Sequence, residues 1–257
     1  MKLHINKKLI PGSESVFIKG SKNGILMLHG LGSTPNEFKE YVEKLDLEGY
    51  SINAPLLKGH GTAPEELQMV TWQDWFENSK KALFELRKTC DKIIVIGQSI
   101  GATLSVHLAS HYQIEAVVLL SPAFFPNSKY MLRKQYFIKN LYELAVKEPA
   151  AKEHVIIYKK TPLRTIKQLL DLAKHVTDDL SDVYTPTLIF HSEEDPLFEY
   201  KNAEFVYEKI AAKSKKLLAL KNSYNILSMD FEKDIVYKEI AKFAVKVFNN
   251  AVNNKGA

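Results

Sequence analysis

Residues 92–105 read "KIIVIGQSIGATLS". A charged residue is followed by four aliphatic ones, then Gly97, Gln98, Ser99, Ile100 and Gly101, then a stretch with helix-like composition. Taken alone, G-x-S-x-G is a weak signal. Its place between a short β-branched run and a helical pattern gives it weight. A strand that turns sharply into a helix brings two backbones too close for side chains, so glycine is expected two residues before and two after the serine. Such a turn projects the serine oxygen above the end of a sheet. The small Ala102 allows the new helix to pack closely.

The same rhythm extends in both directions. "GILMLHG" (24–30), "YSINAP" (50–55), "IEAVVLLSP" (114–122), "TPTLIFHS" (185–192) and "KKLLAL" (215–220) also read as strands. Most are apolar without alternation, as expected where both faces of a sheet are covered. Residues 35–48, 71–90, 100–112, 199–212 and 231–249 read as helices. In the last, Val236, Ile240, Phe243 and Val247 fall on one helical face. Alternating strands and helices imply an α/β fold, with a mostly parallel central sheet and helices on both faces. Between about Ala123 and Tyr184 the rhythm breaks, leaving two helical patterns (near 130–148 and 163–180) and the apolar patch "HVIIY". The expected organisation is a core of 1–122 and 185–257 with a small helical cap, 123–184, inserted over the carboxyl edge of the sheet. Open α/β sheets bind ligands at that edge.

Composition narrows the classes. The chain has 257 residues, enough for one large domain with an insertion. Its net charge of +5 comes from scattered lysines, with no basic run interleaved with aromatics, so nucleic acid is not an expected partner. No run of eighteen apolar residues occurs, so membrane insertion is not expected. Cys90 is the single cysteine and cannot form an internal disulfide. No paired-cysteine pattern is present, and neither a metal nor an organic cofactor is expected. A cytoplasmic location is the default, and the oligomeric state is open.

Two further stretches carry chemistry. "LHGLG" (28–32) follows a strand, and its glycines let a loop turn back over the sheet edge. The amide of Leu31 can then face a developing oxyanion together with the amide of Ile100. His29 reads as a structural ring that ties this loop down. "HSEEDPLF" (191–198) places Asp195 just past a strand end, where a carboxylate can orient a histidine. Glu193 and Glu194 read as loop charges.

These segments together resemble the α/β-hydrolase serine esterases, and more narrowly the bacterial carboxylesterase and monoacylglycerol lipase group. The resemblance rests on "MLHGLGSTPNEF", "APLLKGHGTAPEEL", "TWQDWFENSKKAL", "VIGQSIGATLS", "HSEEDPLF" and "FEKD", in this order across almost the whole chain. It implies hydrolysis of carboxylic esters such as short-chain esters or monoacylglycerols. Ser99 would be the nucleophile, Asp195 the acid, and the amides of Leu31 and Ile100 the oxyanion donors. Gly30, His60, Phe124 and Met131 are candidate substrate-binding residues. Phe125 and Tyr130 are further candidates for an apolar acyl pocket.

The resemblance also exposes a departure. Members of the group carry the catalytic histidine after the last strand. Here all eight histidines precede Asp195, and "NSYNILSMD" (222–230) places Asn225 where the histidine belongs. A carboxamide has no lone pair basic enough to take a serine proton near neutral pH. Three readings stay open: an introduced His-to-Asn change, a natural pseudo-hydrolase that binds esters or lipids, or a base from elsewhere, with His191 the candidate.

Overall fold

In the computed structural model, which describes residues 8–127 and 145–253, seven strands form one sheet in the order β1-β3-β2-β4-β5-β6-β7. The strands are β1 (Val16–Ile18), β2 (Asn23–Leu28), β3 (Ser51–Ala54), β4 (Lys92–Gln98), β5 (Ala116–Leu120), β6 (Thr187–Ser192) and β7 (Lys215–Leu220). Only β1 runs antiparallel, against β3; the other neighbours are parallel. The six strands expected from sequence are all present. The three-residue β1 is an addition, too short to carry a readable period.

The unbroken apolar strands have a direct explanation. Successive residues point to opposite sides of the sheet, and here both sides are buried. Leu26, Leu28, Val95, Val117, Leu119 and Ile189 enter one core, against the helices Trp72–Arg87, Ile100–His111 and Leu163–Val176. Ile25, Met27, Ile94, Ile96, Val118, Leu120 and Phe190 enter the other, against Lys39–Leu47 and Lys233–Asn253. In the last helix Val236 and Ile240 are fully in the second core, with Phe243 and Val247 packed on its margin. The edge strand β7 is only half-buried and begins with Lys215 and Lys216, charges that disfavour further strand addition.

Local signals set the helix starts. Thr71 and Asp74 form a reciprocal capping box at the entry to Trp72–Arg87: Asp74 Oδ2 accepts from the Thr71 amide at 2.9 Å, and Thr71 Oγ1 accepts from the Asp74 amide at 3.4 Å. A short helix at Pro64–Leu67, unforeseen from sequence, starts at a proline, whose fixed φ suits a first turn. Between β5 and β6 the described residues hold two helices, Pro149–His154 and Leu163–Val176.

The strand order places a switch beside β2. The chain leaves β2 for β3 on one side, then returns to β4 on the other. The loops after β2 and β4 therefore diverge from neighbouring strand ends, with Leu28 level with Gly97.

The closest backbone approach lies at this junction. A Cβ built on Gly101 would sit 1.9 Å from the Leu28 carbonyl oxygen, and one on Gly97 would sit 2.2 Å from the Gly101 oxygen. Gly101→Ala is expected to cost about 3 kcal/mol or more, against under about 0.5 kcal/mol for Leu47→Ala on the surface. Urea denaturation of the two variants beside the parent measures the difference. Equal midpoints would show that the helix can shift without penalty.

Candidate active site

Ser99 sits at the junction in a conformation that non-glycine residues rarely adopt, φ 54° and ψ −115°. Such strain costs on the order of 1–3 kcal/mol and persists only where the surroundings enforce it. Two contacts enforce it here. The Ser99 amide donates to the Leu120 carbonyl of β5 at 2.8 Å, and the Ser99 carbonyl accepts from the amides of Ala102 and Thr103 as the helix begins. Ser99 is thereby held at the head of the helix Ile100–His111, next to its first-turn amides. The Ile100 amide is the first of these.

The loop after β2 passes close by. A Cβ on Gly30 would lie 3.6 Å from Ser99 Cβ and 3.5 Å from Glu37 Oε2, so these three residues share one small space. The turn itself is taken by Gly32, at φ 74°. His29 fastens the loop: its Nδ1 donates to the Gly30 carbonyl at 2.9 Å and its Nε2 accepts from the Leu57 amide at 3.0 Å. With both nitrogens engaged and burial holding it well below the ordinary imidazole range, His29 is a structural ring. His60 lies edge-on to it at 4.8 Å and flat against Tyr158. Its Nδ1 faces the carbonyls of Leu57 and Lys58, while its buried Nε2 has no hydrogen-bond partner among the described residues. Burial lowers His60 to about 4, so it is neutral at physiological pH. Tyr158 closes the group: its amide donates to the Gly32 carbonyl, and its hydroxyl accepts from the Thr62 amide and donates to the Gly59 carbonyl.

The acid and residue 225 meet. Asp195 Oδ1 accepts from the amides of Leu197 (2.8 Å) and Phe198 (3.1 Å), and its Oδ2 accepts from Asn225 Nδ2 at 2.7 Å. Burial raises Asp195 above the usual carboxylate range, opposed by His191 and these hydrogen bonds. The segment bearing Asn225 is gripped by Gln98, the residue before the serine. Gln98 Nε2 donates to the Asn225 carbonyl at 2.7 Å, and its Oε1 accepts from the Leu227 amide at 3.1 Å. Residues 225 and 226 also donate to the Ala145 carbonyl. Asp230 anchors the far side: its fully buried carboxylate accepts from the amides of Tyr224, Lys147, Glu148 and Phe231.

The structure thus brings Ser99, Gly30 and Glu37 together around one space, and joins Asp195 to Asn225. Among the described residues no imidazole hydrogen-bonds Ser99. His191 is committed elsewhere, with Nε2 on the Phe198 carbonyl at 2.9 Å and 3.6 Å from Asp195 Oδ2. Phe124 is buried in the first core, its ring near Phe205; Phe125 is half-exposed and also packs on Phe205. Tyr130 and Met131 lie outside the described residues. Sequence reasoning gave no role to Gln98, Glu37 or Tyr158, and used Asp230 only as the anchor that aligns residue 225. Gln98 alone left a visible trace, as a polar residue ending an apolar strand. A cleft of about 350 Å³ opens beside the group, lined by Glu37, Asn36, His154, Ser228 and Met229 among others.

Comparison with known proteins is consistent with this arrangement. Residues 20–230 match the family Hydrolase_4, described as serine aminopeptidase, S33. A thermostable monoacylglycerol lipase from Bacillus sp. (strain H-257) is 28% identical over 93% of this chain and 96% of its own length. A carboxylesterase from Bacillus subtilis (strain 168) is 26% identical over 89% of this chain and 95% of its own. Among solved structures, a metagenome-derived lipolytic enzyme from work on LipS and LipT superposes with a TM-score of 0.86. It is 26% identical, over 93% of this chain and all of its own.

Glu37 makes a measurable prediction. Its Oε1 accepts from the Gly30 amide at 3.0 Å, and burial, opposed by Ser33 and this bond, raises the carboxyl from 4.5 to about 8. The folded chain therefore keeps a proton that the unfolded chain releases above pH 4.5. Stability contributed by this group falls as pH climbs from 4.5 to about 8. Glu37→Gln should flatten that slope. Unfolding free energies of parent and variant between pH 5 and 8 give the comparison, and parallel curves would contradict the assignment.

Proposed function

The chain belongs to the serine aminopeptidase S33 family of α/β-hydrolases, in the esterase group of that fold, and from that membership we propose a serine ester hydrolase mechanism whose base position holds Asn225. In this reading Ser99 is the nucleophile. Its oxygen attacks the ester carbonyl, the alcohol leaves, and an acyl-enzyme forms that water then clears. The amides of Leu31 and Ile100 stabilise the oxyanion, a contribution worth about 10²–10³ in rate for each donor. Asp195 orients the side chain at 225. Short-chain esters and monoacylglycerols are the proposed substrate class, as the names of the relatives suggest. We take 123–184 as the cap, attached to the loop beneath it where Ala145, Val146, Ala151 and Val155 pack on Ile226. Gly30, His60 and Phe124 are proposed to line the substrate space.

One observation carries the reading: the 2.7 Å bond from Asn225 Nδ2 to Asp195. It gives residue 225 the partner that a catalytic histidine uses through Nδ1–H. The carboxamide keeps that bond but cannot accept the serine proton. Loss of a triad base can cost about 10⁶ in turnover, while substrate binding and oxyanion stabilisation persist. Esterase activity of this chain is therefore expected to be very low. The same observation supports a second reading, in which the chain binds an ester or lipid without cleaving it.

One substitution separates the two. Asn225→His should raise kcat/KM on a chromogenic short-chain ester by about 10³ or more, and Ser99→Ala added to that variant should abolish the gain. A folded Asn225→His protein with no gain would favour the binding reading and sink the dormant-triad mechanism.

A further inference from the structure

The helix that begins beside Ser99 carries a second group of chemically active side chains near its other end. His107 and His111 lie one turn apart on it, about 10 and 16 Å along the axis from Ile100. His107 is buried and His111 is exposed. Facing them are His175, in the last turn of Leu163–Val176, and Asp179, in the 3-10 turn Asp178–Asp182 that follows. His107 Nδ1 lies 2.5 Å from Asp179 Oδ2. His107, His111 and Asp179 each offer a ligand atom, and these atoms all lie within 4.8 Å of one another. No metal was expected from the sequence; that expectation overlooks His107 and His111, which stand at His-x3-His spacing.

The surroundings suit an ion. Nδ1 of His111 is engaged by the His107 carbonyl (2.9 Å) and by Ser110 Oγ (2.8 Å), which leaves its Nε2 for a ligand. Hydrogen bonding of one ring nitrogen is the usual way to orient a metal-binding imidazole. The rings of His107 and His111 are 4.5 Å apart and inclined by 72°. Two imidazoles on one zinc, at Zn–N of about 2.0–2.1 Å, place their ring centres roughly 5 Å apart. Trp72 and Phe76 wall the group: Phe76 packs on His107 at 4.2 Å, while Trp72 packs on His107 and His175.

We propose that His107, His111 and Asp179 form a transition-metal site, matched by ligand type to Zn2+, that staples the Leu163–Asp182 region to the Ser99 helix. Water completes the tetrahedron. Zinc needs ligand atoms about 3.3 Å apart, so the widest spacing, up to 4.8 Å, must contract by roughly 1.5 Å, and His107 Nδ1 and Asp179 Oδ2, now 2.5 Å apart, must open by about 0.8 Å. The exposed His111 and half-buried Asp179 side chains supply these shifts. The ion replaces the proton of the His107–Asp179 hydrogen bond, which passes to solvent. The site lies away from Ser99, so its role is structural and independent of turnover.

The test uses the full chain, stripped with a chelator and dialysed. Isothermal titration with Zn2+ should give one site with a Kd of about 1 µM or tighter, and the melting temperature should rise with added zinc. Co2+ should give the visible bands of a tetrahedral complex. His111→Ala and Asp179→Asn should each weaken zinc binding at least tenfold. His111 is exposed, so the first variant should keep the parent circular dichroism spectrum. Absence of binding by the parent, or undiminished affinity in the double variant, overturns the proposal.

Discussion

The molecule depends on one close contact, the crossing of the first turn after Ser99 over the end of β2. Gly101 lies against the Leu28 carbonyl, and Gly97 lies beneath Gly101. Only with hydrogen in place of Cβ at both positions can the helix start this near the sheet. Once it does, the chain has no relaxed route through residue 99, and Ser99 takes its left-handed conformation. The same contact brings the first amides of the helix alongside the loop of residues 29–32. The strain at Ser99 and its closeness to the candidate oxyanion donors share a single steric cause.

A polar scaffold around this contact fixes the rest. Gln98 holds the segment of residue 225, Asp230 ties that segment to residues 147 and 148, and the Tyr158 amide is bonded to the Gly32 carbonyl. Buried polar networks of this kind are costly unless fully bonded. Their presence means that residue 225, Asp195 and the loop after β2 are located by several independent bonds rather than by one. An asparagine at 225 sits within this scaffold without disturbing it, because its amide reaches Asp195 at ordinary hydrogen-bond length. In the proposed mechanism the geometry is thus kept while the proton acceptor is gone. Two buried carboxyl groups with raised values, Asp195 and Glu37, further mark the region as one where the fold tolerates unfavourable electrostatics.

Much of this was legible in the residues. Six strands, the long helices and the serine turn follow from apolar runs, helical periodicity and paired glycines, each a local pattern with a local cause. Asn225 could be noticed because no histidine follows Asp195 along the chain and the resemblance to the esterase group implies one at this position. Other features left little trace. Glu37 looks like a surface residue in "PNEF" and becomes buried only because its loop folds under Gly30. Tyr158 ends the apolar patch "HVIIY", which by itself assigns it no role. His107, His111 and Asp179 are separated by up to seventy-two residues, and only the packing of two helices sets them side by side.

The sequence by itself determined the parallel sheet with two buried faces, the sharp turn at Ser99 and the chemistry that Asn225 cannot perform. These depend on side-chain type and short-range spacing, which the chain carries explicitly. Tertiary structure decided which distant groups meet: Asn225 with Asp195, Gln98 with the last loop, His107 with Asp179. Those meetings depend on strand order and helix packing, where the free energy is shared among many contacts and no single residue encodes the outcome.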